Sequence, residues 1–260
     1  MFIEKAELFL EILDFMWERA GAEAEAITKL LEKLNVDKDA RILEVGCGNG
    51  RILINLAKLG YKNLVGIDIS PRFIKDAEKK KERHGTKHVK FLVGDVLELD
   101  KLFGKGEFDV VMFVWTSVVG YYGEEEIDKE IFSKVRYVLR DRGYMLILNS
   151  ANRDLILRLS EYYSGPYISE HGNLTVIEYP KFDPVRSVNK TRWKFYRRLE
   201  SGDLKFLDEI EYEIRLYSLH ELIKMAGEAG FNYVDAYGRL STMEAFWPTK
   251  GGLNIVFKAT

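Results

Sequence analysis

Ile42-Leu43-Glu44-Val45-Gly46-Cys47-Gly48-Asn49-Gly50-Arg51 joins a short apolar strand to a glycine-rich turn, and the turn to a helical pattern that runs through Leu59. Glycines at 46, 48 and 50 allow backbone N–H groups to approach a ligand closely, and the start of the following helix favours negative charge. Dehydrogenases and nucleotide-binding proteins use the same device, so the spacing has to discriminate. Here it is Gly-x-Gly-x-Gly, not the Gly-x-Gly-x-x-Gly of the dinucleotide fingerprint, and Glu44 stands two residues before the first glycine. A carboxylate there repels a pyrophosphate and suits a positively charged ligand.

Outward from this turn, strand and helix patterns alternate. Leu64–Ile67 reads as a second strand ending at Asp68, Ser70-Pro71 as an N-cap and first-turn proline for a helix through about Glu82, and Val89–Val93 as a third strand followed by Asp95. Phe108–Val114 makes a fourth strand and Glu124–Leu139 a helix; Asp141-Arg142-Gly143 turns the chain into a fifth strand, Tyr144–Leu148. This order predicts an α/β, doubly wound, Rossmann-like parallel sheet with its ligand at the carboxyl ends of the strands. An acid at Asp68 can accept hydrogen bonds from ribose hydroxyls. One at Asp95 can accept from an adenine amino group, with the Val96 N–H serving a ring nitrogen and Ile69 packing on the ring face. Each acid can equally cap its own turn.

Before the core, Phe2–Leu34 has helical spacing with Gly21 as the expected break. After Ser150 the alternation stops, and Thr175–Glu178, Ser187–Arg197 and Lys205–Tyr217 read as antiparallel strands. Ser218 and Glu221 form a capping box for a helix to Ala229, and Phe231–Tyr237 and Leu253–Lys258 close the core. The division is a helical N-terminal cap over 1–40, a core over 41–150 and 218–260, and an inserted antiparallel β cap over 151–217 in the same domain.

The chain has 260 residues, a net charge of −2, 47% hydrophobic and 31% charged residues, and no apolar run long enough for a membrane span. Glu4, Lys5 and Glu7 interrupt any signal-peptide core, so a cytoplasmic location is expected. One cysteine, Cys47, excludes an internal disulfide or a multi-thiolate zinc site; His84 and His88 are separated by Gly85, and no metal is expected. The absence of glutamine beside abundant lysine and glutamate is a thermophile-like bias.

Taken together, Ile42–Arg51, Gly66-Ile67-Asp68-Ile69-Ser70 and Val93-Gly94-Asp95-Val96 resemble the successive cofactor motifs of class I S-adenosylmethionine-dependent methyltransferases. Leu139–Tyr144 is similar to the turn into strand five in that family. The resemblance covers about 41–150 and, more faintly, 218–258; the inserted strands are similar to those of the glycine N-methyltransferase group. It implies a seven-stranded sheet with an antiparallel last strand, and S-adenosylmethionine as methyl donor, leaving S-adenosylhomocysteine. The ammonium and sulfonium of that donor fit Glu44. The implied cofactor residues are Glu44, Gly46, Cys47, Gly48, Gly50, Asp68, Ile69, Asp95, Val96 and Trp115.

The acceptor is expected beyond strand four and after strand five, among Trp115, Thr116, Ser117, Tyr121, Tyr122, Asn149 and Asn152. Asn152 can alternatively cap the next helix. Trp17 and Arg19 are candidates to close over the cofactor. Methyl transfer needs alignment more than a strong base, and with no acid or histidine cluster in view a nitrogen acceptor is expected. Between Lys181 and Glu200, seven basic residues interleave with Trp193, Phe195 and Tyr196. Arg153, Arg192, Trp193 and Tyr196 are therefore candidate contacts to structured RNA, or else to a small-molecule amine. The strand can also be a solvated basic face over an aromatic inner one. The Asn/Asp/Ser-Pro-Pro-aromatic motif of amino-directed DNA methyltransferases is absent, which disfavours DNA. The alternatives are a small-molecule O-methyltransferase, a cofactor-holding protein without methyl transfer, or a nucleotide-dependent oxidoreductase.

Overall fold

The computed structural model describes every residue except 1, 116, 117, 161, 162 and 164. Helices α1 (Ala6–Phe15) and α2 (Trp17–Lys33) lead into β1 (Arg41–Val45), α3 (Arg51–Lys58), β2 (Asn63–Asp68), α4 (Pro71–Arg83), β3 (Lys90–Val93), α5 (Leu99–Leu102), β4 (Phe108–Val114), α6 (Glu125–Val138) and β5 (Leu139–Ser150). Then come α7 (Arg153–Ser160), β6 (Tyr167–His171), β7 (Leu174–Asp183), β8 (Val188–Arg198) and β9 (Leu204–Arg215). The chain closes with α8 (Leu219–Glu228), β10 (Phe231–Arg239), β11 (Glu244–Ala245) and β12 (Leu253–Ala259).

The core strands are apolar on both sides because helices cover both sides. Leu43, Val111, Phe113 and Ile147 pack toward α6 and α8, while the alternate residues Ile42, Val110, Met112 and Leu146 pack toward α2 and α3. The sheet order is β11-β10-β12-β5-β4-β1-β2-β3. Strands β1–β5 are parallel, and β12 runs antiparallel to both neighbours, β5 and β10. The antiparallel last strand is as expected; the two-residue β11 at the edge makes eight strands among the described residues instead of seven.

Four local expectations are corrected. The first two helices part at Met16, not Gly21, which lies inside α2 between the fully buried Ala20 and Ala24. The kink lets α1 pack Phe9 and Leu10 on the inserted sheet while α2 lies on the core. Strand β5 begins at Leu139, paired with Phe108, and absorbs Asp141–Gly143 as an irregularity with Arg142 at φ 64°. The inserted sheet, order β6-β7-β8-β9, contains the unanticipated strand β6. Ser70 precedes α4 but its hydroxyl makes no cap; its backbone N–H is held by Asp68 instead. The Ser218–Glu221 capping box forms in both directions.

Candidate active site

At β1 and β4 the chain winds away in opposite directions, the place where open α/β sheets hold ligands. The carboxyl ends of β1, β2, β3 and β4 open there into one cavity of about 630 Å³. Helix α1 roofs it with Phe9, Ile12 and Leu13, continued by Met16 at the break, and the inserted sheet closes its far end with Trp193 and Tyr212.

At the core end, Gly46, Gly48 and Gly50 have φ of 73°, 54° and 76°, a region side chains rarely enter. A Cβ on Gly50 would also stand 2.5 Å from the Phe91 ring. Asp68 secures the turn: one carboxylate oxygen accepts the Gly48 N–H and the other the Ser70 N–H, each at 2.9 Å. Burial raises its pKa against the pull of those two bonds. Cys47 packs inward against Gly66, where an added Cβ would meet Sγ at 2.8 Å, and burial pushes its thiol pKa well up.

Glu44 lines this end while only 3% exposed, and its Oε2 has no hydrogen-bond partner. Burial pushes its pKa up to about 8, with the nearby Arg51 working in the opposite direction. Arg51 is itself ion-paired to Glu23 of α2, which also accepts the Trp115 indole N–H at 3.2 Å. Asp95 accepts the Leu97 N–H at 2.9 Å and the Tyr122 hydroxyl at 3.3 Å. Both acids thus cap their turns as well as lining the cavity. Ile69, 42% exposed, and Val96 supply apolar surface beside them. An orphaned buried carboxylate and an apolar wall between two acids fit the charge and shape of S-adenosylmethionine.

At the far end the walls are aromatic. Tyr121 lies nearly parallel to Tyr212 with ring centroids 6.2 Å apart, and Trp193 meets Tyr212 edge-on at 5.6 Å. Phe9 stacks on Trp193 at 5.9 Å and Phe2 stands 5.6 Å from Tyr121. The only basic residue on the cavity wall among the described residues is Arg51, at the opposite end.

Other expected acceptor residues lie elsewhere. Asn152 caps α7, accepting the Asp154 and Leu155 N–H groups and donating to the Pro248 carbonyl. Asn149, at φ 52°, donates its N–H to the Asn254 side chain. Arg153 bridges α7 to α8 through Glu221 at 2.6 Å. Trp17 stacks on His84 in a separate surface hollow, so α1, not Trp17 and Arg19, covers the cavity. Thr116 and Ser117 fall outside the described residues. His88 meets the Tyr61 carbonyl, apart from His84.

Six of the seven basic residues between Lys181 and Glu200 are ion-paired in place. Arg192 and Lys190 pair with Glu211, Lys194 with Glu209, Arg186 with Glu213, Arg197 with Glu11 and Arg198 with Glu170. For Arg186, Lys190, Arg192 and Lys194 the partners come from β9, which runs antiparallel to β8 and sets its glutamates beside the cations, whereas Arg197 and Arg198 find theirs on α1 and β6. Tyr196 faces Phe206 on the outer side, 5.6 Å away, after an irregularity that separates it from Phe195. Phe2, Phe9, Leu13 and Tyr212 were not anticipated; the alternation of β9 held the signal for Tyr212, in step with Ile210 and Ile214.

The methyltransferase-domain family matches residues 36–174. The chain belongs to this family, within the class I S-adenosylmethionine-dependent methyltransferase superfamily. It is 31% identical over 144 residues to human EEF1A lysine methyltransferase 2, a match that covers 52% of this chain and 58% of the relative. The chain spans about half the length of the curated relatives it matches first. Among solved structures, the CcbJ methyltransferase of Streptomyces caelestis is similar with a TM-score of 0.74 at 19% identity, covering 93% of this chain and 90% of that one. The amino pentose methyltransferase CalS10 of Micromonospora echinaspora, solved with S-adenosylmethionine, gives 0.66 at 19% identity, covering 93% and 92%. The fold therefore extends through the inserted sheet.

Proposed function

We propose that this chain is an S-adenosylmethionine-dependent methyltransferase acting on the nitrogen of an aliphatic amine. The observation that carries the reading is the two-ended cavity: an acidic, glycine-lined end at the strand termini, continuous with an aromatic end that no lysine or arginine lines among the described residues. The cofactor, when bound, supplies a methyl group on a cationic sulfur that departs as a neutral thioether. In this reading Glu44 offers its unpartnered oxygen to positive charge, Asp68 and Asp95 offer acceptors to sugar and base, and Ile69 and Val96 pack on the base. Trp115 stands at the junction of the two ends. Helix α1 excludes water over both, which favours a displacement that needs alignment more than a base.

A carboxylate or phosphate acceptor would need cations that the aromatic end lacks, and RNA would need the basic strand, six of whose cations are paired with glutamates of β9, α1 and β6. A small amine satisfies the enclosure. A protein lysine side chain is the second reading, favoured by the lysine methyltransferases named among the relatives, since it presents the same chemistry on a slender stem. The test is to offer labelled S-adenosylmethionine with the purified protein to separated metabolite, protein and RNA fractions of a cell extract. Label in a small amine is expected. Label on lysine selects the second reading, and label confined to RNA overturns both.

A further inference from the structure

The inserted sheet packs one row of residues per strand against α1, Leu174 and Val176 on β7, Phe195 and Trp193 on β8, Ile210 and Tyr212 on β9, and Trp193 and Tyr212 of that row line the cavity. Continuing the β7 row, the next residue on that face is Glu178, paired in register with Trp193. It is a carboxylate in an otherwise apolar and aromatic row, partly buried, and no lysine or arginine side chain pairs with it among the described residues. Its field reaches both Tyr121 and Tyr212: burial first, then the Glu178 charge, pushes the Tyr121 pKa up to about 12, and Glu178 acts on Tyr212 in the same direction. Three aromatic side chains from separate elements, the 118–123 loop, β8 and β9, thus converge beside one carboxylate that lacks a countercharge.

Aromatic faces are negative at their centres and attract ammonium groups, the more so where water is excluded. A neighbouring unpaired carboxylate adds to that attraction, and a partly buried charge gains most from a partner that enters with the ligand. We infer that the aromatic end of the cavity is an alkylammonium-selective subsite, with Tyr121, Trp193 and Tyr212 as its walls and Glu178 as the group that holds the positive charge. The inference rests on the amine reading above and deepens it: the acceptor enters as its ammonium, passes one proton to the Glu178 carboxylate so that the nitrogen lone pair can attack the sulfonium methyl as the thioether leaves, and the nitrogen that becomes cationic on methylation is still held. It also assigns a role to the insertion, which carries three of these four residues.

The test uses two nearly isosteric probes, choline and its uncharged analogue 3,3-dimethylbutan-1-ol, titrated calorimetrically into the 260-residue chain saturated with S-adenosylhomocysteine. Choline is expected to bind at least about tenfold more tightly than the neutral alcohol. The variant Glu178→Gln is expected to reduce that ratio to threefold or less while leaving the S-adenosylhomocysteine affinity unchanged, which also reports that the variant is folded. Equal binding of the two probes by the unaltered protein, no binding of either, or full discrimination retained in Glu178→Gln would overturn the inference and leave the methyltransferase reading standing. Failure of S-adenosylhomocysteine itself to bind would overturn that reading and the inference with it.

Discussion

The Tyr217 hydroxyl donates to the Asp128 carboxylate at 2.6 Å, and the other oxygen of Asp128 accepts the Gly120 N–H at 2.9 Å. Through this buried pair α6 grips both the segment that follows β9 and the loop carrying Tyr121. Asp128→Ala leaves a buried hydroxyl and a buried N–H without partners and is expected to cost about 3 kcal/mol in denaturant unfolding. Tyr217→Phe removes one bond and is expected to cost about 1 kcal/mol. In both, acceptor turnover should fall more than cofactor affinity, because Tyr121 loses its support while Gly48 and Asp68 do not.

Gly120 has φ 89°, and a Cβ there would lie 2.3 Å from the Arg215 carbonyl oxygen, whose own N–H donates back to the Gly120 carbonyl at 2.8 Å. Backbone cannot swing aside as a flexible side chain does. Gly120→Ala is therefore expected to destabilise by about 3 kcal/mol or more, read as a large fall in melting temperature.

Asp68 serves the turn and the cofactor together. Asp68→Ala is expected to weaken S-adenosylhomocysteine binding by about 1–3 kcal/mol in calorimetry. Unchanged affinity would remove Asp68 from the cofactor site.

Burial pushes the Glu44 pKa up to about 8, above its ordinary unfolded value, so the folded protein holds a proton that the unfolded chain releases. Stability from this group is fully present below the ordinary carboxylate range and is lost as pH rises toward 8. A cationic ligand reverses the preference by favouring the carboxylate. Binding of S-adenosylhomocysteine, which keeps the ammonium, is therefore expected to release up to about one proton near pH 7, measured by calorimetry in buffers of different ionisation enthalpy. Affinity should rise with pH up to about 8, and both effects should vanish in Glu44→Gln.

Arg192 is exposed and paired with Glu211 at 2.8 Å on the outer face of the insertion. Its replacement by Ala is expected to leave melting temperature and methyl transfer unchanged, since exposed ion pairs contribute little. Loss of activity would reinstate the basic strand as an acceptor surface.

The core end of the site was legible because its residues are set by local position. Glu44, Asp68 and Asp95 each end or follow a parallel strand, and parallel strands deliver their carboxyl ends to one edge. The far end was half legible. Trp115, Tyr121 and Trp193 stood out by residue type, yet Asn152 and Arg153, chosen because they follow strand five, turn away into bonds with Pro248 and Glu221, and Asn149 gives its backbone N–H to Asn254. Glu178 carried a readable signal, an acid breaking the alternation of Leu174 and Val176, whose meaning depended on what faced it.

The sequence by itself determined the order of strands and helices, the glycine turn and the acids in register after three strands, because apolar periodicity and turn chemistry act over a few residues. Only the tertiary structure decided that the helices part at Met16, that β9 sets its glutamates against the basic strand, and that α1 and the insertion close the cavity. Those outcomes follow from packing and charge pairing between segments far apart in the chain: Glu11 with Arg197, Phe9 with Trp193, Lys5 with Asp208 at 2.5 Å. Such pairings satisfy burial and charge only once the fold brings their partners together.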